Sequence, residues 1–471
     1  MKYGMLTEKI LSELKDIVGD SSVWITQEKL LSCSRDQTIT LKTDEYIMPD
    51  VVVAPSNAEE VSKILKLANK HLIPVTPRGG GTGLSGGALP IHGGIVISDE
   101  KLNKIIEIDS ENMVAVVEPG VVTSDISTAA IEKKLWYAGY PMSFESCHIG
   151  GNIAENAGGG NAVKYGVTIR YVLGLEVVMP TGEIVNLGGK LMKDVSGYNL
   201  KELIVGSEGT LGYVTKIILK LQPVMKSRVV LLVLFKDTET AISLVPKIMT
   251  ESGILPKSIE FIDRNCYESS CKYLNEELPM EGVGAVLLIE LDGSVDEHVE
   301  HEADKVGVIC SEGGAVEIYV ADNATTRERI WSVRRNVDEA MRLQYPTQVG
   351  QDTVVPIASI PKYVKELEKL AQKHGVLIPI YGHAGDGNLH PSVLKKNEIS
   401  MEEWETQKHI VEYEIFKLTH NMGGAISGEH GIGTKRKDIF TELAGETHLY
   451  FMKKIKEALD PNNIMNPGKI F

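Results

Sequence analysis

The sequence predicts an α+β chain of two domains, the second an α/β layer built on an antiparallel sheet, with a C-terminal segment that returns to the first. Three observations lead there. Glycine gathers in RGGGTGLSGG (78–87), IGGNIAENAGGG (149–160) and VGSEGTLG (205–212), among short β runs, and again in GEHGIG (428–433). After Gln222 and Pro223 the texture changes to strands alternating with amphipathic helices, the pattern of a second layered domain. The tail ALDPNNIMNPGKIF (458–471) is too short to hold a core of its own. The predicted boundaries are an N-terminal helical segment at 1–46, a first domain at 47–223, a second at 224–425 and a returning segment at 426–471.

The elements follow in order. Leu6, Ile10, Leu11, Leu14 and Val18 recur at helical spacing, and acidic residues run throughout this start, so it is a helix rather than a signal peptide. The segment 48–57 reads as a strand, 57–72 as an amphipathic helix capped by Asn57, and IPVTPRGGG as the next strand. Two apolar arms around a Thr-Gly turn in 171–189 read as a hairpin. In the second half, SRVVLLVLFKD (227–237), SIEFID and GAVLLIELDG (284–293) are strands, while ETAISLVPKIMTES (239–252) and DEHVEHEADKVGVIC are helices.

Composition excludes several classes. The 471 residues are 43% hydrophobic and 24% charged, with a formal charge of -15 that opposes a phosphate-binding nucleic-acid surface. No apolar run reaches the roughly 18 residues of a membrane span. Cysteines at 33, 147, 266, 271 and 310 are odd in number and scattered, which fits a reducing cytoplasm and no disulfide framework or iron–sulfur ribbon.

GTGLSG (81–86) satisfies G-x-G-x-x-G after a strand, with Asp99 downstream, and invites a nicotinamide-dependent oxidoreductase. That fingerprint needs a helix at its third glycine, since the pyrophosphate rests on the helix N-terminus. Gly86, Gly87, Pro90, Gly93 and Gly94 oppose one, because glycine costs a helix interior about 1 kcal/mol and proline about 3. Successive backbone N–H groups can instead form an anion-binding nest. A ligand met by several distant glycine segments is large and flat, as FAD is.

A second constellation lies in YGHAGDGNLH (381–390). Asp386-Gly387 suits a tight turn, and folding about it sets His383 opposite His390, with Cβ atoms roughly 4.5–5.5 Å apart. An isolated pair of this spacing is commonly a surface hairpin feature. GEHGIG adds Glu429 and His430 in a glycine-flanked loop, and two histidines with one glutamate form the ligand set of an open, catalytic metal site.

These blocks, from PDVVVAPSN through PRGGGTGLSGG, CHIGGNIAENAGG, KYGVT, VGSEGTLG, IEFID, GHAGDGNLHP and SGEHGIG to NPGKIF, resemble the FAD-linked oxidases with a vanillyl-alcohol-oxidase (PCMH) type flavin domain. The branch they resemble holds D-lactate dehydrogenase, D-2-hydroxyglutarate dehydrogenase and the flavin-binding component of glycolate oxidase. The resemblance implies a PCMH-type FAD-binding domain followed by a substrate, or cap, domain.

It also implies roles. Arg78, Gly79, Gly80, Gly81, Thr82 and Gly83 would bind the pyrophosphate; Cys147, Gly150, Gly151, Asn152, Asn156 and Gly158 would run along the flavin; Glu208 and Gly209 would hold its ribityl or adenine end. Gly81 stands where some relatives attach FAD through a histidine, so non-covalent FAD is expected. YPMSFESC (140–147) departs from the usual Pro-Asp-Pro before the cysteine. His383, His390 and Glu429 would hold a divalent metal (Zn, Fe(II) or Mn), His430 would be the catalytic base and Arg334 would grip the substrate carboxylate. On helical spacing alone Arg334 reads as a surface charge. Asp338 and Gly350 fall where the family has a threonine and a substrate-binding lysine, which favours a short monocarboxylate such as D-lactate over hydroxyglutarate. With no second cofactor motif in the chain, electrons would pass to electron-transferring flavoprotein, in a bifurcating lactate dehydrogenase, or to another redox protein, as in a glycolate oxidase assembly.

Overall fold

The structure, a computed structural model, describes residues 3–38 and 46–471; residues 39–45 of the predicted N-terminal segment lie outside the described residues. It divides into two compact units, one of Met1–Gly158, Val167–Val224 and Glu429–Phe471, the other of Gly159–Gly166 and Met225–Gly428.

The first unit opens on helix Glu8–Val18, capped by the Thr7 hydroxyl and burying Ile10 and Leu14. Strand Val51–Val53 pairs in parallel with Ile95–Ser98, which pairs in parallel with Val75–Arg78, and Val23–Trp24 adds an antiparallel edge. Parallel strands need a crossover, and helix Ala58–His71 supplies it, its N-cap Asn57 accepting from Glu60 N at 2.9 Å. The tail returns here: Val75 N donates to Ile464 O at 2.8 Å, Asn466 N donates to Val75 O at 2.7 Å, and Ile464 and Met465 are fully buried. A second, antiparallel sheet runs Ile105–Asp109, Val114–Val117, Tyr213–Lys220, Val172–Val178, Ile184–Gly188. Burial alternates strictly along Tyr213–Lys220, as expected for a sheet with one covered face.

The second unit is an antiparallel sheet in the order Glu317–Ala321, Ser227–Phe235, Ala285–Gly293, Ser258–Asp263, Ile380–His383, Asn388–Leu394, Gln348–Gly350, with Thr353–Val354 also on Asn388–Leu394. Both faces are covered. Val229, Leu231, Val233 and Phe235 pack with helices Thr238–Ser252, Asp296–Glu312 and Ile360–His374. Val230, Leu232 and Leu234 pack with helices Arg264–Leu274, Ala324–Arg335 and Val337–Gln344. A strand buried on both sides needs apolar residues at odd and even positions alike, which is why SRVVLLVLF reads as one continuous run.

Among the described residues no helix is long and apolar enough to cross a membrane. All five cysteines are unbridged and buried.

Candidate active site

In the first unit, strand Val75–Arg78 delivers the chain into the glycine loop, and no helix forms over 79–94. Gly80 lies so close to the 146–148 segment that an added Cβ would meet Ser146 O at 2.8 Å. At Gly83 and Gly151, by contrast, an added Cβ would meet nothing within 4 Å, so these two glycines line open space beside exposed backbone. That is the form of a cradle for a phosphate-bearing ligand. Thr82 and Gly83 are half-buried. The Arg78 guanidinium is turned to the Ser32 carbonyl at 3.0 Å.

The second glycine segment is held from below. The Thr123 hydroxyl lies 3.3 Å from Cys147 Sγ and accepts from Asn152 Nδ2 at 2.8 Å. Burial pushes the Cys147 thiol up, so it stays protonated and unreactive. Gly150 N donates to Pro119 O at 2.8 Å. Asn156 takes the left-handed conformation with φ 54°, and its side chain accepts from Ile169 N at 2.9 Å. Gly158 abuts Val167, where a Cβ would come to 2.9 Å. Glu208, also left-handed, uses both carboxylate oxygens on Ile432 N and Gly433 N at 2.7 Å, while its carbonyl accepts from Asn466 at 2.8 Å. It clamps three distant segments together, and Gly209 after it turns against Pro77. Sequence reading passed over His148, whose Nδ1 meets buried Asp99 at 2.8 Å behind Gly79. The hydrogen bond to Asp99 raises the His148 pKa.

In the second unit the histidine hairpin differs in register from the sequence expectation. Residues 384–386 form a 3-10 turn closed by Gly387 at φ 89°, so His383 pairs with Asn388 and Tyr381 pairs with His390. The two histidines are therefore not directly opposed. A two-residue shift preserves side-chain parity, however, so both remain on one face, with ring centroids 5.4 Å apart and rings nearly perpendicular.

That face carries further polar groups. Glu260, on the neighbouring strand, is fully buried and lies 2.8 and 2.9 Å from His383 Nδ1 through its two oxygens. Arg334 Nε donates to the same carboxylate at 2.6 Å, and its guanidinium stands 5.0 Å from the Tyr381 ring centroid. Arg334 is buried, contrary to the surface position that helical spacing suggested. Burial by itself would raise the Glu260 carboxyl, but the charges of His383 and Arg334 and their hydrogen bonds outweigh it and hold the pKa down to about 2. Behind His390, Asp352 Oδ1 stands 3.9 Å from Nδ1. Fully buried, Asp352 also accepts from Asn388 Nδ2 at 2.8 Å, Ser427 Oγ at 2.8 Å and Gly428 N at 2.9 Å.

Each histidine thus turns Nδ1 toward a buried carboxylate, the arrangement that makes Nε2 the ligand nitrogen in metal sites. The donor set fits a divalent ion. Glu260 and Asp352 escaped the sequence reading, although a glutamate inside the apolar strand SIEFID was a visible signal, since a mid-strand carboxylate buried among apolar neighbours needs a partner.

Glu429 and His430 belong to the first unit and follow Gly428 directly in the chain. His430 Nε2 lies 3.7 Å from Glu429 Oε1, and both are partly buried.

Comparison with known proteins agrees with this architecture. The FAD binding domain family matches residues 49–188, and the C-terminal domain of FAD linked oxidases matches residues 224–470. Glycolate oxidase subunit GlcD of Bacillus subtilis (strain 168) is 39% identical over 469 residues, covering 99% of this chain and 97% of its own. A D-lactate dehydrogenase of Archaeoglobus fulgidus is 40% identical over 435 residues, 92% of this chain and 94% of its own. In fold, p-cresol methylhydroxylase is similar with a TM-score of 0.79 and 19% identity, over 99% of this chain and 97% of that one. With both family domains matched in order and relatives alike along nearly their whole length, the chain belongs to the FAD-linked oxidases, PCMH-type in fold.

Proposed function

We propose that this protein oxidises a short (R)-2-hydroxy acid, D-lactate to pyruvate, using non-covalent FAD and a divalent metal, and passes the electrons to a protein acceptor such as electron-transferring flavoprotein. The observation that carries this reading is the company of Arg334 and His383. A carboxylate-binding fork lies 3.5 Å from a metal-type histidine, with Glu260 hydrogen-bonded to both.

Oxidation of a 2-hydroxy acid removes a hydroxyl proton and a Cα hydride. Bound FAD supplies the hydride acceptor, and a bound ion lowers the pKa of a coordinated hydroxyl. Arg334 binds the substrate carboxylate bidentately and fixes which face of Cα is presented. His383, His390 and Glu429 are the proposed metal ligands. His430, whose imidazole titrates near neutrality when unperturbed, takes the hydroxyl proton. Zn, Fe(II) and Mn suit two imidazoles and a carboxylate comparably. Asp338 pairs with Arg342 at 2.8 Å, and Gly350 has no side chain, so neither adds a cation for a second carboxylate. That supports lactate over hydroxyglutarate.

Glycolate is the second reading, favoured by the likeness to the Bacillus subtilis glycolate oxidase protein across 99% of this chain. Anaerobic addition of D-lactate, L-lactate, glycolate and D-2-hydroxyglutarate to the flavin-loaded protein separates them. Bleaching of the visible flavin band by D-lactate at the highest kcat/KM is the expected outcome; no bleaching by any of the four overturns the reading.

A further inference from the structure

We infer that Glu260 is a positioning residue that serves two functions with one carboxylate, fixing the tautomer of His383 for metal binding and the orientation of Arg334 for substrate binding. This role rests on the hydroxy-acid reading above and adds to it a residue that links ion and substrate.

The geometry is specific. Glu260 sits mid-strand in Ser258–Asp263 between Ile259 and Phe261, which point into the core on the opposite face. Its own face carries Tyr381, because Ile262 pairs with Tyr381 and Phe261 with Gly382. Arg334 arrives from helix Ala324–Arg335, and His383 from the next strand. Gly160 closes the remaining side, where a Cβ would come to 2.8 Å from Glu260 Oε1 and 3.6 Å from His383 Nδ1. The carboxylate therefore has one place to sit, and both partners are set by it.

Stability alone gives little reason for this arrangement. A fully buried ion pair repays its desolvation poorly, and apolar replacements of similar volume are often neutral or stabilising. What the carboxylate does supply is order. Accepting the Nδ1 proton leaves Nε2 as the lone-pair nitrogen of His383. Occupying Nε of Arg334 leaves the two terminal nitrogens of the guanidinium as the fork for an incoming carboxylate. Removing Glu260 frees the imidazole to take either tautomer and the arginine to swing over the Tyr381 ring.

The test uses flavin-loaded enzyme stripped of metal and titrated with Zn2+ or Mn2+ by calorimetry, alongside steady-state kinetics with D-lactate. Glu260→Gln is expected to weaken ion binding by roughly 10–100-fold and to raise KM for D-lactate more than it lowers kcat under saturating ion. Glu260→Asp should recover part of both. If Glu260→Gln loses its flavin or its fold, the double variant Glu260→Met/Arg334→Met, which leaves no buried charge unpaired, is expected to show the same loss of ion affinity. Wild-type ion affinity and KM in whichever variant folds overturn the inference while leaving the hydroxy-acid reading intact. A wild type that bleaches with D-lactate yet takes up neither ion overturns the metal part of that reading, and this inference with it.

Discussion

At the scale of single residues, the most informative case is Arg334. Its helix, ATTRERIWSVRR, is polar on most sides, and a charge in its last turn is ordinarily solvated. It is buried because Glu260 lies opposite, and that partner is 74 positions away in the chain, where no local pattern can reveal it. His383 and His390 were legible for the opposite reason: their spacing around a glycine turn is itself local. His430 is the residue on which the proposed chemistry turns. His430→Asn keeps the volume and one hydrogen-bonding edge but cannot take a proton. It should lower kcat by roughly 10²–10⁴-fold with the flavin spectrum of the resting enzyme unchanged; stopped-flow flavin reduction at wild-type rate would place the base elsewhere.

At the scale of elements, the hairpin Ile380–His383/Asn388–Leu394 shows how turn chemistry decides geometry. The dipeptide Asp-Gly suggested a two-residue turn, yet the 3-10 turn at 384–386 places Gly387 alone in the left-handed region, with φ 89°. The predicted register moved by two, and the face of each side chain survived because strand periodicity is two. A one-residue error would have sent His390 to the other side of the sheet. Gly387 also packs against the Val355 carbonyl, which a Cβ would strike. Gly387→Ala should cost at least about 1–2 kcal/mol from the left-handed backbone alone. It should also weaken Zn2+ binding, since the turn sets the spacing of the two rings. Calorimetric unfolding and ion titration check both; a variant as stable as wild type would show that the turn relaxes to another form.

The strands and helices of both units were largely readable from period and caps. Asn57, Asp237 and Asp263 each cap the helix that follows by accepting from its backbone. The alternation along Tyr213–Lys220 and the unbroken apolar run Ser227–Phe235 announce one covered face and two covered faces respectively. Less readable was the segment Gly159–Gly166, which lies between blocks of the first unit but clusters with the second. Lys164 Nζ and Tyr165 OH both bind Asp292, at 2.6 and 2.8 Å. A lysine and a tyrosine in a loop carry no local sign of such an anchor.

At the scale of the whole molecule, buried charges set the response to acid. In the second unit Glu290 lies buried beside Lys257 at 2.8 Å, with Arg228 at 2.9 Å. Burial would raise its carboxyl, but the two cations and their hydrogen bonds prevail and hold it below the usual 4.5. A depressed carboxylate contributes stability above its unfolded value, and that contribution is lost as pH falls from about 4.5 through the folded value. Melting temperature should therefore drop with acidification below that point, and Glu290→Gln should flatten the drop while lowering stability at neutral pH by roughly 3–5 kcal/mol, because Lys257 then stays buried without its counter-charge. A variant with the wild-type pH slope would assign acid unfolding to other carboxylates.

The sequence by itself determined the order of glycine blocks, the two-unit division of labour, the parity of the histidine hairpin and the return of the tail, because these depend on backbone freedom and short-range period. Tertiary structure alone decided that Glu260, Arg334 and His383 share one hydrogen-bonded cluster and that Glu208 clamps Ile432, Gly433 and Asn466. Those contacts join residues dozens to hundreds of positions apart. Their partners are selected by burial, where an unpaired charge is too costly to keep, and not by any pattern along the chain.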